Sequence, residues 1–272
     1  MTELVAETGQ IVRRHRLSTR IWHWVNAGTV LVMLMSGLMI FNAHPRLYWG
    51  AYGANYDPAW LEIGAAEGRG YLRVGEMRFD TTGVLGVSAH DGRRWSVAFP
   101  SWATIPGGYD LALARRWHLT FAWLLALGLA AFAVASLANG HLRRDLAPGR
   151  RELAPGHLWD EVKAHARLHF PTGEAARRYN ALQKLAYLGV LVILLPAMVV
   201  SGLAMSPSMD ATLPWIVDLF GGRQTARSVH FIAAWLIVGF VVVHLVMVLL
   251  SGPLNGVRAM ITGRYRLPEA RR

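Results

Sequence analysis

Four histidines lie in stretches of the chain that are otherwise apolar: His23, His118, His230 and His244. Ionisable side chains are rare in such stretches, and where they occur they usually mark a function. A single histidine of this kind more often hydrogen-bonds to a neighbouring helix than binds a metal. The case for metal chemistry therefore depends on how the four are arranged.

The spacing of His230 and His244 is the most specific feature of the set. They are 14 residues apart, which on an α-helix is about 1400° of rotation, within about 40° of four full turns, and about 21 Å of rise. Both side chains then project from one stripe of the helix. One helix could thus supply a ligand to each of two stacked haems.

Four apolar runs must position these histidines. Each run has about the 20 residues that a helix needs to cross the hydrocarbon core of a bilayer, and each should be helical, despite Pro196, because lipid offers no partner to backbone polar groups. The runs are 21–41, 117–138, 185–205 and 229–250. The sequence therefore predicts an all-α membrane protein, a four-transmembrane-helix bundle that forms a single membrane domain over 1–272.

The net charge of +11 is explained by topology rather than by nucleic-acid binding. Four arginines precede the first run, nine Lys or Arg lie in the 139–184 connection, and five follow residue 251. By the positive-inside rule these parts face the cytoplasm. We expect a multi-pass protein of the bacterial inner membrane with both termini cytoplasmic, a cytoplasmic connection at 139–184 and a periplasmic insertion at 42–116.

This topology sorts the four histidines into two pairs at two depths. His23 and His244 lie near the cytoplasmic face, and His118 and His230 lie near the exported face. A structural zinc site would gather its ligands at one depth, whereas two bis-histidine haems need this arrangement. We predict two haem b groups, the inner iron held by His23 and His244 and the outer iron by His118 and His230. The chain has no cysteine, which excludes covalent haem attachment through Cys-x-x-Cys-His and iron–sulfur ligation.

Glycines in the apolar runs have two interpretations. They could let a porphyrin lie close to the backbone, or they could serve the close helix packing that small residues favour in membranes. The glycines concerned are Gly28, Gly37, Gly128, Gly202 and Gly239. For any single one of them, helix packing is the simpler interpretation.

The chain resembles the bacterial di-haem cytochrome b family that includes the formate dehydrogenase gamma subunit, nickel–iron hydrogenase cytochrome b and the thiosulfate reductase cytochrome b subunit. The resemblance covers all four helices and implies the same four haem ligands. The matching stretches are 20–24 (RIWHW), 115–118 (RRWH), 179–184 (YNALQK), 228–230 (SVH) with His244, and 255–263 (NGVRAMITG), which resembles a short cytoplasmic helix.

The resemblance also implies a quinone substrate, menaquinone or ubiquinone. An asparagine at the start of helix three contacts the quinone in the formate dehydrogenase relatives, and Asn180 matches it, with Gln183 beside it. A glycine of that motif is Leu182 here, so the resemblance does not define the shape of the pocket. An amide at this position can donate to a quinone carbonyl, but it can equally cap the helix.

The 42–116 insertion is much longer than the corresponding connection of formate dehydrogenase gamma. Its strand-like runs at 71–74 and 95–99 and its turn signals, such as Asp91-Gly92, predict an extended periplasmic loop carrying short strands. Its tryptophans could form a docking surface for a periplasmic redox partner; alternatively, they pack the loop or lie at the membrane interface. The stretches 99–106 and 169–180 resemble thiosulfate-reductase-type proteins, which implies a molybdopterin oxidoreductase as partner.

We therefore expect a di-haem b transmembrane electron-transfer subunit that links a periplasmic redox partner to the membrane quinone pool. Phosphate-loop, dinucleotide-binding and nucleophile-elbow motifs do not occur. This favours a subunit of an oxidoreductase complex over a self-contained enzyme. That complex could in turn form homo-oligomers. Two alternatives stay open. One is a stand-alone quinone-reactive cytochrome b of the superoxide-oxidase type, and the other is a haem-free proton-coupled transporter whose histidines relay protons.

Overall fold

The computed structural model describes residues 11–90, 92–140, 142–169 and 179–266. Four of its helices are long and apolar enough to cross a membrane: α1 (Leu17–Asn42), α2 (Leu111–Ala138), α4 (Ala181–Ala204) and α7 (Arg223–Leu250). The shorter helices are α3 (Pro155–Ala166), α5 (Pro207–Thr212), α6 (Trp215–Leu219) and α8 (Pro253–Thr262). The predicted all-α membrane protein with four spanning helices is confirmed.

All four spanning helices begin earlier than the apolar runs. The helix α1 begins at Leu17 rather than at 21, and α7 begins at Arg223 rather than at 229. Backbone hydrogen bonds within a helix need no lipid, so polar residues continue the helix beyond the hydrocarbon core. Hydropathy therefore locates the apolar part of each helix rather than its ends.

The helix α4 keeps a helical backbone through Pro196, as predicted, but not α-helical geometry throughout. Its middle section, Gly189–Leu194, is π-helical, and α-helical geometry resumes at Leu195. Proline has no N–H to donate and its ring crowds the carbonyl one turn back. A wider turn just before the proline accommodates both effects.

The connection between α1 and α2, residues 43–110, is here called the cap. It contains an antiparallel sheet in the order β2-β3-β4-β5 and a separate hairpin of β6 and β7. The strands are β2 (Arg46–Leu47), β3 (Leu61–Ala66), β4 (Arg69–Val74), β5 (Met77–Asp80), β6 (Ser88–His90) and β7 (Arg93–Trp95). Glu67 and Gly68, both with positive φ, join β3 to β4, as in the tight turns that suit a twisted hairpin.

The sequence patterns of the cap are only partly followed by strands. The run predicted at 71–74 lies in β4. Of the predicted Asp91-Gly92 turn, Asp91 lies outside the described residues, and Gly92 comes directly before β7. In contrast, the run at 95–99 leaves the sheet after Trp95. The N–H of Phe99 donates to Asn42 Oδ1 at 2.8 Å, and Asn42 Nδ2 donates to the Phe99 carbonyl at 3.0 Å. The side-chain amide of Asn42, at the end of α1, thus provides the two hydrogen bonds that a neighbouring strand would otherwise make with Phe99.

The core of the cap is built partly from the spanning helices. Phe41 of α1 packs with Leu47, Ile63 and Phe99 of the cap, and its ring stacks on Phe231 of α7 at 4.8 Å between centroids. Burying several large side chains in this way is the main stabilising contribution in such a core. The cap is therefore packed on α1 and α7 rather than merely tethered to them.

Contacts group the chain into two units. The cap-side unit comprises Asn26–Gly128 and Leu194–Leu236, and the tail-side unit comprises the other described residues. In the tail-side unit, β1 (Ile11–Arg13) pairs antiparallel with β8 (Arg264–Arg266), which the sequence did not predict. The helix α8 lies where the short helix of 255–263 was expected.

Candidate functional site

The four predicted histidines meet as two pairs. His118 of α2 and His230 of α7, the cap-side pair, have ring centroids 6.2 Å apart with 59° between the ring planes. His23 of α1 and His244 of α7, the tail-side pair, have centroids 6.3 Å apart with 57° between the planes. The pairing is the one expected from the sequence, and α7 supplies one ring to each pair.

Both separations match two imidazoles on opposite sides of one metal ion. A metal–nitrogen distance of about 2.0 Å on each side, plus about 1.1 Å from each nitrogen to its ring centre, puts the centroids about 6.2 Å apart. The spacing leaves room for one iron between each pair of rings, which is the donor set of six-coordinate b-type haem.

The Nδ1 atom of His118 is held by α1. It lies 3.1 Å from the carbonyl oxygen of Met33 and 3.2 Å from Ser36 Oγ. A carbonyl can only accept, so Nδ1 carries the hydrogen and Nε2 keeps its lone pair. Metal-binding histidines usually have their second nitrogen fixed in this way. His118 is therefore prepared to bind a metal through Nε2.

The Nδ1 atom of His230 is held in the same manner by α4. It lies 2.9 Å from Ser201 Oγ, and the His230 ring also has a hydrogen bond with the Met198 backbone. The Ser201 hydroxyl donates to the Ala197 carbonyl of its own helix at 2.5 Å, so its oxygen is left to accept from the imidazole. Both rings of the cap-side pair thus carry their hydrogen on Nδ1 and keep a lone pair on Nε2.

A glycine follows each of these serines and touches the same imidazole. A Cβ at Gly37 would lie 3.3 Å from His118 Cε1, and one at Gly202 would lie 3.5 Å from His230 Cε1. At these two positions the absence of a Cβ leaves room for the imidazoles of the cap-side pair. A Cβ at Gly28 or Gly239 would meet no atom within 4 Å, so close packing in this structure does not explain those two glycines.

The tail-side pair is held differently. Among the described residues, nothing hydrogen-bonds to the buried Nδ1 of His23, although nearly all buried polar atoms in proteins have a partner. His244 is stacked on Phe240, with centroids 5.9 Å apart and planes 16° apart. A buried imidazole nitrogen without a protein partner fits a ring that is meant to bind a further group.

An arginine that sequence reasoning missed lies one turn before His230. Arg227 donates to the carbonyl of His44, and its guanidinium lies over the Phe41 ring at 5.4 Å. No carboxylate of the described part of the chain pairs with it. A haem carries two propionate carboxylates, which are suitable partners for a desolvated guanidinium. The signal available in the sequence was an arginine at the edge of an apolar run, three residues before a histidine.

The quinone candidates Asn180 and Gln183 form a capping box at the start of α4. Asn180 Oδ1 accepts from the Gln183 N–H at 2.8 Å, and Gln183 Oε1 accepts from the Asn180 N–H at 3.3 Å. Asn180 Nδ2 donates to His165 Nε2 at 3.2 Å. The capping role that was the alternative for Asn180 is thus present, while Nδ2 has a second hydrogen available for a ligand.

The helix α3 is joined to the start of α4 by side chains that sequence reasoning did not connect. The Glu161 carboxylate accepts from the backbone N–H groups of Ala181 and Leu182 at 3.2 and 3.0 Å, and Glu152 pairs with Lys184 at 2.8 Å. A carboxylate at a helix N-terminus is favoured by the helix dipole. Within α3, His165 donates through Nδ1 to the Glu161 carbonyl at 2.8 Å.

Comparison with known proteins gives one family. The family model of prokaryotic cytochrome b561 matches residues 14–263. The chain is 34% identical over 234 residues to YedZ1 of Azospira oryzae, named as a protein-methionine-sulfoxide reductase subunit, which covers 85% of the chain and 87% of that protein.

Further relatives are named as Ni/Fe-hydrogenase B-type cytochrome subunits. The one from Azotobacter vinelandii is 27% identical over 52% of the chain and 64% of its own length, and the one from Cupriavidus necator is 22% identical over 91% and 83%. No solved structure matches the chain significantly. With four spanning helices and a family match over nearly its whole length, the chain belongs to the prokaryotic cytochrome b561 family and is a multi-pass membrane cytochrome of the b type.

Proposed function

We propose that the chain is a di-haem b electron-transfer subunit that links a redox partner on the cap side of the membrane to the quinone pool. His118 and His230 would hold one haem, and His23 and His244 the other. The observation that carries this is the pair of imidazole couples with nearly equal centroid separations, 6.2 and 6.3 Å. When bound, each haem supplies reversible one-electron chemistry.

The chain's own residues bind and orient these groups. Ser36, Met33 and Ser201 fix the hydrogen of the cap-side imidazoles on Nδ1, so that each Nε2 is ready to bind. The space at Gly28 and Gly239 allows a flat group to approach the backbone. Arg227 would pair with a propionate, which would keep the carboxylates near the cap and the apolar ring in the helices.

The distribution of basic residues supports an orientation with the cap in the periplasm and both ends in the cytoplasm, in the bacterial inner membrane. Asn180 and Gln183 belong to the tail-side unit together with His23 and His244, which supports a quinone site associated with the tail-side haem. Asn180 Nδ2 would offer its second hydrogen to a quinone carbonyl.

The partner is proposed to be a periplasmic redox subunit of the molybdopterin type. Relatives are named as subunits of a methionine-sulfoxide reductase and of hydrogenases, so a membrane cytochrome of this family serves more than one kind of complex. The cap presents aromatic side chains to its surroundings, with Trp49 and Tyr52 exposed at 55% and 89%. Exposed aromatics are frequent anchors of protein interfaces.

The test is a dithionite-reduced minus oxidised visible spectrum of the purified protein with a haem-to-protein ratio. We expect two low-spin b haems per chain. His118→Ala and His230→Ala should remove or perturb the same haem, and His23→Ala and His244→Ala the other. His157→Ala, which changes an exposed histidine of α3, is the control and should retain both.

Other results of this test would favour a different function or a different pairing of the histidines. A colourless protein after haem-replete expression would reject electron transfer and favour the proton-coupled transporter. A red protein that reduces quinone with superoxide and without any partner would favour the stand-alone oxidase. Loss of one haem in His118→Ala and of a different one in His230→Ala would reject the proposed pairing.

A further inference from the structure

A short motif occurs twice in the chain, once on α1 and once on α4. Residues 33–38 are MLMSGL and residues 198–203 are MVVSGL, so Met, Ser, Gly and Leu recur at the same four positions. The two copies lie on different helices and face different imidazoles of the cap-side pair. The contacts that the serine and the glycine make with the imidazole are also repeated in the two copies.

In each copy the serine donates to its own helix and accepts from the histidine. The Ser36 hydroxyl donates to the Val32 carbonyl at 2.7 Å, and that of Ser201 to the Ala197 carbonyl at 2.5 Å. With its hydrogen used in this way, each serine oxygen can only accept the imidazole N–H. Each Nδ1–H then has a serine oxygen as acceptor, and the backbone of the methionine three residues before that serine hydrogen-bonds to the same imidazole.

The hydrogen bonds at Nδ1 change how strongly the imidazole binds a metal. A hydrogen bond donated from Nδ1 moves electron density toward Nε2, which makes Nε2 a stronger donor to a metal and favours the oxidised state of an iron bound there. Both ligands of the cap-side pair have this arrangement. His23 of the tail-side pair has no such partner among the described residues.

We propose that Ser36 and Ser201 are positioning residues that fix the cap-side imidazoles and lower the reduction potential of the haem they bind, without acting on the tail-side haem. The proposal rests on the proposed function, because it needs a haem between His118 and His230. It adds a role for two residues that act on the haem through the histidines they contact. The repeat would then be a device for giving the two haems of one chain different potentials.

The test uses Ser36→Ala, Ser201→Ala and the double variant in the full-length, haem-loaded protein. The reduction potential of each haem is measured by optical redox titration, and the low-spin electron paramagnetic resonance signals report the relative orientation of the ligand planes. Ser136→Ala, at a buried serine of α2 in the tail-side unit, is the matched control. The haem-to-protein ratio is measured for every variant.

We expect the potential of the cap-side haem to rise in both single variants and to rise most in the double variant. The rise should be larger for Ser201→Ala, because its oxygen lies 2.9 Å from Nδ1 whereas that of Ser36 lies at 3.2 Å. The cap-side resonance signal should shift as well. The tail-side haem and the Ser136→Ala protein should match the wild type.

Selective loss of the cap-side haem in the double variant would also support the positioning role, and the single variants would then supply the potentials. An unchanged cap-side potential with both haems retained would overturn the proposal and leave the proposed function standing. Equal shifts of both haems would also overturn it. A wild-type protein without haem would overturn the proposed function itself, and this inference with it.

Discussion

The indole N–H of Trp60 donates to the hydroxyl of Ser228 at 2.9 Å. Ser228 is fully buried, lies two residues before His230, and passes its own hydrogen to the Tyr48 carbonyl at 2.6 Å. Two segments of the cap are thereby connected to the turn of α7 that carries His230. The cap and the cap-side pair should therefore respond together when this connection is broken.

Trp60→Phe removes the indole N–H and keeps an aromatic ring beside Trp49, whose ring stacks on that of Trp60 at 5.4 Å. We expect the missing hydrogen bond to lower the free energy of unfolding of the cap by about 1 kcal/mol. Limited proteolysis at increasing temperature should then cleave the cap at a lower temperature than in the wild type. The cap-side haem spectrum should broaden. Trp102→Phe, at a side chain that is 79% exposed, should behave as the wild type; equal effects of both would contradict the connection.

The two glycines beside the cap-side histidines should tolerate alanine differently. At Gly37 the new Cβ would lie 3.3 Å from His118 Cε1, a contact tight enough to displace the ring, whereas at Gly202 the corresponding 3.5 Å is an ordinary contact. We expect Gly37→Ala to shift the cap-side haem spectrum and Gly202→Ala to leave it in place. Haem loss in Gly202→Ala alone would instead show that the porphyrin edge covers this glycine.

Glu62 is the centre of a buried ion-pair group in the cap. It accepts from Arg46 at 2.8 Å, Arg73 at 2.6 Å and Tyr71 at 2.8 Å. Burial by itself raises the pKa of this carboxyl, but the hydrogen bonds from Arg73, Tyr71 and Arg46 outweigh it, and the pKa is below the ordinary 4.5. Its stabilising contribution is therefore complete above pH 4.5 and is lost as the pH falls through the lowered value.

Glu62→Gln should destabilise the cap by about 3 kcal/mol at neutral pH, because two guanidinium groups lose their anion. It should also flatten the fall in cap stability below pH 4.5 that the wild type shows. Tryptophan fluorescence melts across the acidic range would measure both effects. Asp80→Asn, which changes an exposed partner of Arg69, should have little effect on either.

Serine and alanine at position 180 separate the two roles of Asn180. Asn180→Ser keeps an oxygen that can cap α4, whereas Asn180→Ala removes the cap at a cost of about 1 kcal/mol. Since the proposed quinone contact is made by the amide Nδ2, both variants should lose quinone reduction while only alanine lowers the melting temperature. Wild-type quinone kinetics in Asn180→Ser would leave Asn180 with the capping role alone.

Much of this architecture could be predicted because it depends on length and spacing. Four runs of suitable length gave four spanning helices, and the helical period placed His230 and His244 on one stripe. The serines that hold the imidazoles could not be predicted in the same way, since a serine in an apolar helix usually bonds to its own backbone, as Ser36 and Ser201 also do. Their second partner is visible only once the helices are packed, although the repeated Met-x-x-Ser-Gly-Leu was a signal.

The cap and the tails were predictable to a smaller extent. The strand at 71–74 follows a residue pattern, but Phe99, at the end of the run predicted at 95–99, is bonded to Asn42, a residue more than 50 positions away in the sequence. The β1 and β8 strands have three residues each, too few for a period to show. Their pairing depends on two distant segments arriving at the same place, which no local pattern encodes.

That pairing has a consequence for the order in which the protein is made. β1 precedes the first spanning helix and β8 follows the fourth, so the ladder between them can close only after the whole bundle has been synthesised and inserted. The ladder therefore stabilises only fully inserted molecules, and half-inserted chains would lack it. The ladder also brings Ile11 and Arg266 close together, so a short peptide linker could join them. A circularly permuted protein with its new termini in a connecting loop should therefore still form the same bundle.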